Sequence, residues 1–193
     1  MNKFSPEFDR VGVALAFAAL LILLYFGLTV NTFVQDLWVA FAFWMAGFFG
    51  TVTLGLARMS KSLNLRQIFT IFVGTGLILV CFFGISTAFG MVPQDIFIAE
   101  KALGFGIGVS EELFFGVFLL SILINYLGLD RIISIVLSAG LHSAYHIPQW
   151  GINPLQLSLF FISFLVARSI YVFVFPKVGV LLGAHGFWNV AVT

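Results

Sequence analysis

The residues able to do chemistry in this chain sit where a membrane protein least tolerates them. Glu111 and Glu112 are adjacent within Gly108-Val109-Ser110-Glu111-Glu112-Leu113-Phe114-Phe115, a run that otherwise reads as membrane-spanning helix. An ionisable residue at bilayer depth costs roughly 2.5–3.5 kcal/mol on insertion scales, and no Lys or Arg follows within the next turn. The chain has 3 histidines, and all of them, His142, His146 and His185, also fall inside apolar segments. Carboxylate and imidazole together are the pair from which proteins build water-activating, acid–base sites.

Helix geometry sorts these residues into roles. Glu111 and Glu112 are about 100° apart on a helix, so one faces a cavity while the other orients a neighbour or caps a nearby group. His142 and His146 stand at i, i+4 and share a face, as do His185 and Asn189. Polar groups in lipid turn toward one another or toward water, so three helices bring a carboxylate, imidazoles and an amide together. At about 1.5 Å per residue, Glu111 lies roughly 15 Å into its span, with His142 and His185 at comparable depth. Arg168 also lies well inside an apolar segment. Two readings stay open for it: a side chain snorkelling to the cytoplasmic end of its helix, or a counter-ion for Glu111 or Glu112.

The elements that must position these groups follow from composition. The 193 residues are 61% hydrophobic and only 9% charged, with a mean hydropathy of +1.13. Soluble domains carry about 25% charged residues, so the chain reads as an integral membrane protein. A formal net charge of +1 leaves no basic patch for nucleic acid, and none is expected as a partner. Cys81 is alone, so no intrachain disulfide forms, and it reads as a small buried apolar residue. The stretch Met1–Arg10 carries Lys3, Glu7, Asp9 and Arg10 ahead of a run of spanning length, which reads as a retained first helix rather than a cleaved signal.

Windows of about 20 apolar residues place spans at 11–32, 37–57, 68–90, 102–125, 132–147 and 155–175. A short last segment at 178–193 follows, placed inside the bundle rather than against lipid. The expected fold is an all-α polytopic bundle, about six full spans plus that final helix, in a single domain with its motif-bearing core over about 102–193. Val92-Pro93-Gln94-Asp95, Gly128-Leu129-Asp130-Arg131 and the Pro148–Pro154 stretch punctuate the chain, with Pro at both ends of the last. Gly47, Gly50, Gly104 and Gly108 read as close helix-packing positions. With the N-terminus on one side, that side holds Lys3, Arg10, Arg58, Lys61, Arg66, Arg131 and Lys177, and the other only Lys101. That bias predicts a cytoplasmic N-terminus in the cell membrane.

Three motifs then resemble a known family. Ser110-Glu111-Glu112-Leu113-Phe114-Phe115, Leu141-His142-Ser143-Ala144-Tyr145-His146 and His185-Gly186-Phe187-Trp188-Asn189 are similar, in order and on separate helices, to the motifs of the CAAX prenyl endopeptidase and bacteriocin-processing (CPBP, or Abi) family of intramembrane proteases. The resemblance covers the chain from about Gly104 to its end. It implies an intramembrane peptidase in which Glu111 and His146 activate water and His185 and Asn189 form the oxyanion hole. Glu112, His142 and Arg168 are supporting residues. Gly116 stands where the family pattern has Arg, and His142 where it has Phe.

The second departure creates a His-x-x-x-His pair, a spacing that suits two metal ligands on one helix face. His142, His146, His185 and Glu111 would then fill a tetrahedral zinc site. A hydrolytic zinc also needs an open position for water and a separate base, and Glu111 cannot easily be ligand and base at once. Metal-free chemistry with no cofactor is therefore the expectation, and zinc the alternative. The expected partners are the lipid bilayer and a peptide or lipidated protein substrate. The rival functions are a proton-linked transporter, since such relays use the same residues, and a protease-like scaffold weakened by Gly116. No inverted repeat of the kind carriers use is visible.

Overall fold

A computed structural model describes residues 4–29, 35–59, 64–88 and 98–192. Its elements, in chain order, are β1 (Glu7–Phe8), α1 (Arg10–Thr29), α2 (Gln35–Thr53), β2 (Arg58–Met59), α3 (Leu65–Ala88) and α4 (Ile98–Glu111). A π-helical stretch (Glu112–Leu119) continues α4 into α5 (Leu120–Asn125), and then come α6 (Arg131–Tyr145), α7 (Ile147–Trp150), α8 (Pro154–Phe173) and α9 (Val178–Val192). Among the described residues the fold is all-α apart from one two-residue parallel pair and a single parallel bridge between Glu7 and Lys177. The punctuating stretch at 92–95 and residues 60–63 of the loop after α2 lie outside the described residues.

Local chemistry sets the helix ends. The second apolar run was expected to continue to Ala57, but α2 stops at Thr53. Gly55 takes a φ of 64°, and the Leu56 N–H turns back to the Thr51 carbonyl at 3.1 Å. That left-handed residue is the usual way to close a helix. Asp130 caps α6 by accepting from the Ile132 and Ile133 N–H groups, and Asn153 caps α8 through Leu155 and Gln156, with Pro154 in the first turn. The fifth run was expected to reach Ile147; α6 ends at Tyr145, so His146 is its C-cap. Residues Ile147–Trp150 form a separate short turn of helix, closed by Gly151 at φ 69°.

An N-terminal strap ties one end of the bundle. β1 pairs with β2, Glu7 opposite Arg58 and Phe8 opposite Met59. The Arg58 N–H bonds the Pro6 carbonyl at 2.9 Å and the Glu7 N–H bonds Pro176 at 3.3 Å. Lys177 makes an ion pair with Glu7, and the Phe4 N–H bonds Asn125 Oδ1 at 2.9 Å. Arg58, Asn125 and Lys177 therefore sit at the same end. Asp9 belongs to this end too. Its Oδ1 accepts from the Gly12 N–H at 2.6 Å, capping α1. A Cβ on Gly179 would lie 2.7 Å from the same oxygen, so the N-termini of α1 and α9 meet there.

The short last helix is deeply enclosed. α9 packs against α1, α3 and α4, and Val178, Val180, Leu181, Leu182 and Ala184 are all 0% exposed. Opposite α4, Gly186 carries no side chain because a Cβ there would sit 2.7 Å from Phe105. The outside of the bundle is apolar: Leu21, Tyr25 and Leu28 of α1 are 66%, 63% and 86% exposed. Apolar faces of this extent belong in lipid, so this is a membrane protein. Among the described residues, three stretches are long and apolar enough to cross a membrane, Arg10–Leu28, Glu100–Asn125 and Pro154–Phe173. Leu37–Thr53 and Val178–Ala191 are shorter apolar helices. The Glu-bearing span is 72% buried over its most apolar window against 22% for the first, so the carboxylates ride on an internal helix.

Candidate functional site

The site begins where α4 widens. From Glu112 the backbone switches to the π form, a rarity that often marks functional positions. Neighbours support the wider turn: Ser138 of α6 donates its hydroxyl to the Phe115 carbonyl at 2.6 Å. Gly47 lets α2 lie directly on Leu113, because a Cβ at 47 would overlap that residue's carbonyl. Gly116 leaves room for Glu112 itself. A Cβ at 116 would overlap Glu112 Oε2 and stand 2.7 Å from Leu181 Cδ2.

Around this segment two carboxylates, two imidazoles and a guanidinium interlock. His142 Nε2 lies 3.4 Å from Glu111 Oε2, and His185 Nε2 lies 3.8 Å from the same oxygen. Glu112 Oε1 is 3.2 Å from His185 Nδ1 and 3.6 Å from His142 Nδ1. Arg168 Nη2 donates to both Glu112 oxygens at 3.2 and 3.3 Å and lies 2.7 Å from His142 Nδ1. Adjacent residues on a helix were expected to aim apart, yet both carboxylates reach His185. Their two-methylene stems swing in from either side of that ring.

Aromatic rings hold His142 in plane. Phe164 stacks on one face at 3.7 Å and 4°, and Phe115 on the other at 4.4 Å and 11°. The Arg168 guanidinium also lies over Phe164, 5.2 Å from the ring centroid. Of the two readings open for Arg168, the structure has the counter-ion: the side chain is 0% exposed and bonded to Glu112.

The other candidates sit further out. His146 stacks beside His142 at 5.5 Å and lies tilted against Phe160 at 4.6 Å. Asn189, a turn beyond His185 on α9, donates to the Gly104 carbonyl at 3.1 Å. Gly108 admits it, since a Cβ there would lie 2.6 Å from Asn189 Nδ2. Exposure grades the set: His142, Glu112 and Arg168 are 0% exposed, Glu111 2% and His185 4%, while His146 and Asn189 are only half-buried. Both half-buried residues lie far from the strap. His146 ends the 15-residue α6, whose first residue follows the strap-bound Asn125 closely, so it is about 22 Å along that axis.

Glu111, His142 and His185 each offer a ligand atom within 4.8 Å of the others, all buried. His146 is not part of that group, so the four-ligand set considered from the sequence is brought together only in three. Sequence reasoning did not identify Phe115, Phe164 or Ser138 as parts of the site. The i, i+4 spacing of Phe164 and Arg168 was the one available hint; nothing marks Ser138.

Chemically, the arrangement is a buried carboxylate, Glu111, flanked by two imidazoles and backed by a buried Glu–Arg pair. That combination can take a proton from water and hold it. A family model described as type II CAAX prenyl endopeptidase Rce1-like matches residues 93–191. No curated protein and no solved structure matches the chain.

Proposed function

The chain belongs to the type II CAAX prenyl endopeptidase Rce1-like family, and on that footing we propose that it is a glutamate-dependent intramembrane endopeptidase. The observation that carries the reading is the placement of Glu111. It is the one carboxylate of the pair with any exposure, it stands 3.4 and 3.8 Å from two imidazole nitrogens, and His146 and Asn189, which share helices with those imidazoles, are half-buried. Groups that meet water and substrate must be reachable. The exposure gradient thus supports Glu111, His146, His185 and Asn189 as the reacting set, with His142, Glu112 and Arg168 behind them.

In this reading Glu111, assisted by His146, takes a proton from water as the oxygen attacks the peptide carbonyl. The carbonyl oxygen gains the charge, and His185 and Asn189 donate hydrogen bonds to it. An amide carries two N–H groups; in this reading Asn189, which holds the Gly104 carbonyl, turns one of them to the oxyanion when substrate is bound. The C–N bond then breaks, and Glu111 returns its proton to the leaving amine. Each oxyanion donor contributes about 2.7–4 kcal/mol in comparable hydrolases.

The substrate is a membrane-associated or lipidated peptide, entering laterally or past the loop after Pro148. The chain acts as a single multi-pass domain of about six crossings with its N-terminus in the cytoplasm, which puts His146 and Asn189 toward the opposite face. Nucleic acid has no part in the function. The ion pair of Arg168 with Glu112 argues against the weakened scaffold, because the cation missing at Gly116 is supplied from α8. The family match argues against a transporter. Cleavage of a fluorogenic peptide in detergent, by wild type and by Glu111→Gln, tests the proposal.

Zinc-dependent hydrolysis is the second reading, favoured by the three ligand atoms of Glu111, His142 and His185 within 4.8 Å. Zinc would polarise a bound water there. Elemental analysis and chelation of an active preparation separate the two: one zinc per chain, with activity lost to chelator and restored by zinc, favours the metal.

A further inference from the structure

We propose that Arg168 is a positioning residue: it locks His142 as the Nε2–H tautomer, so that His142 donates to Glu111 and is withheld from any metal. This rests on the reading of Glu111 as the base. A guanidinium carries only donors. With Arg168 Nη2 at 2.7 Å from His142 Nδ1, that nitrogen has to be the acceptor, and the neutral ring keeps its proton on Nε2. Nε2 is the atom that faces Glu111 Oε2 at 3.4 Å.

The ring has no easy way out of this arrangement. Phe164 and Phe115 cover its two faces at 3.7 and 4.4 Å, and the residue is 0% exposed. The hydrogen bond from Nε2 engages one Glu111 oxygen and fixes the carboxylate's plane. Metal ligation through Nε2 would require the proton to move to Nδ1. There it would face the Arg168 N–H, donor against donor, at 2.7 Å.

Gly116 explains why the cation comes from α8. The volume into which a side chain at 116 would grow is filled by the Glu112 carboxylate and Leu181. A long cation on the Glu-bearing helix therefore has no place here, and Arg168 approaches the same carboxylate from across the bundle. The glycine and the arginine form a matched pair.

Histidine tautomers are read directly from long-range proton–nitrogen correlations of protein labelled with ¹⁵N-histidine in micelles. With 3 histidines in the chain, His146→Gln and His185→Gln assign the His142 signals. The expected wild-type pattern near neutral pH is a single Nε2–H tautomer for His142. It becomes mixed in Arg168→Met and is unchanged when zinc is added to wild type. Peptidase kcat in Arg168→Met falls about 10- to 100-fold, the rate equivalent of one lost hydrogen bond to a charged group, with KM little altered, and Arg168→Lys recovers part of it. A Nδ1–H pattern in wild type, an undisturbed pattern in Arg168→Met, or a stoichiometric zinc shift at His142 Nε2 overturns the proposal. The wild-type spectrum decides even if Arg168→Met does not fold. Because it needs no turnover, it also separates failure here from failure of the peptidase reading.

Discussion

Replacing Gly116 by alanine adds one methyl group, and the structure says which of two opposing effects wins. Alanine is favoured over glycine in a helix interior by about 1 kcal/mol. Against that, the new Cβ would overlap Glu112 Oε2 and lie 2.7 Å from Leu181 Cδ2. Neither neighbour can yield easily. Leu181 is 0% exposed, and Glu112 is held by Arg168 at 3.2 Å. Overpacking of a filled core costs about 1–3 kcal/mol, and displacing a paired, buried carboxylate adds to this. A net loss of about 1–3 kcal/mol is expected. Gly76 of α3 is the control, for a Cβ there meets nothing within 4 Å, so Gly76→Ala is neutral or stabilises by up to about 1 kcal/mol. Equilibrium unfolding of both variants in mixed micelles, followed by circular dichroism, gives the comparison. Peptidase activity should fall in Gly116→Ala alone. Equal stability of the two variants, or a more stable Gly116→Ala, would refute the claim that Glu112 occupies this space.

The buried ion pair predicts strong non-additivity. Arg168→Met should destabilise by about 3–5 kcal/mol because it strands Glu112, whereas Arg168→Met with Glu112→Leu should recover most of that loss; a double-mutant cycle in the same micelles checks it. Asn153→Ala removes the cap of α8 and should cost about 1 kcal/mol, read as a shift in the unfolding midpoint. Burial raises the Asp9 carboxyl above its ordinary value of 3.8, against the opposing N–H groups of Gly12 and Gly179. A raised native value means that the native state holds this proton more tightly than the unfolded chain does. Its stabilising contribution is therefore complete below the ordinary Asp range and is lost as pH rises through the native value. The midpoint of wild type should decline over that interval, and Asp9→Asn should flatten the decline.

That Glu111, His142 and His185 turn inward was legible in the sequence for a simple reason, although His146 and Asn189 were expected in the reacting set and His142 only beside it. Ionisable groups in an apolar helix have few tolerable directions, and the interior of the bundle is the main one. The role of Arg168 was legible only as one of two readings, because α8 is apolar on most of its surface, and composition alone does not say which face turns inward. Residues of this kind are placed by packing partners such as Phe164, which look like ordinary filler in a chain with 25 phenylalanines. The π-helical stretch left no trace either. Leu113-Phe114-Phe115 suits an α-helix equally well, and the residues that meet the wider turn, Ser138 and Gly47, come from two other helices. Helix ends were misplaced where a single residue decided them, as at Gly55 and at the His146 cap. The relative depth of the two histidines of α6 follows from that cap: the helix stops at Tyr145, so His142 stays inside and His146 reaches the rim.

The central claim is that Glu111 is the base of a peptidase, and one measurement addresses it directly. Purified wild type and Glu111→Gln are compared for cleavage of a lipidated fluorogenic peptide in detergent, with unfolding midpoints recorded to show that both are folded. Wild type should cleave the peptide, and Glu111→Gln should cleave it about 10²- to 10⁴-fold more slowly, the range general acid–base groups supply. A folded Glu111→Gln that cleaves at the wild-type rate would contradict the claim.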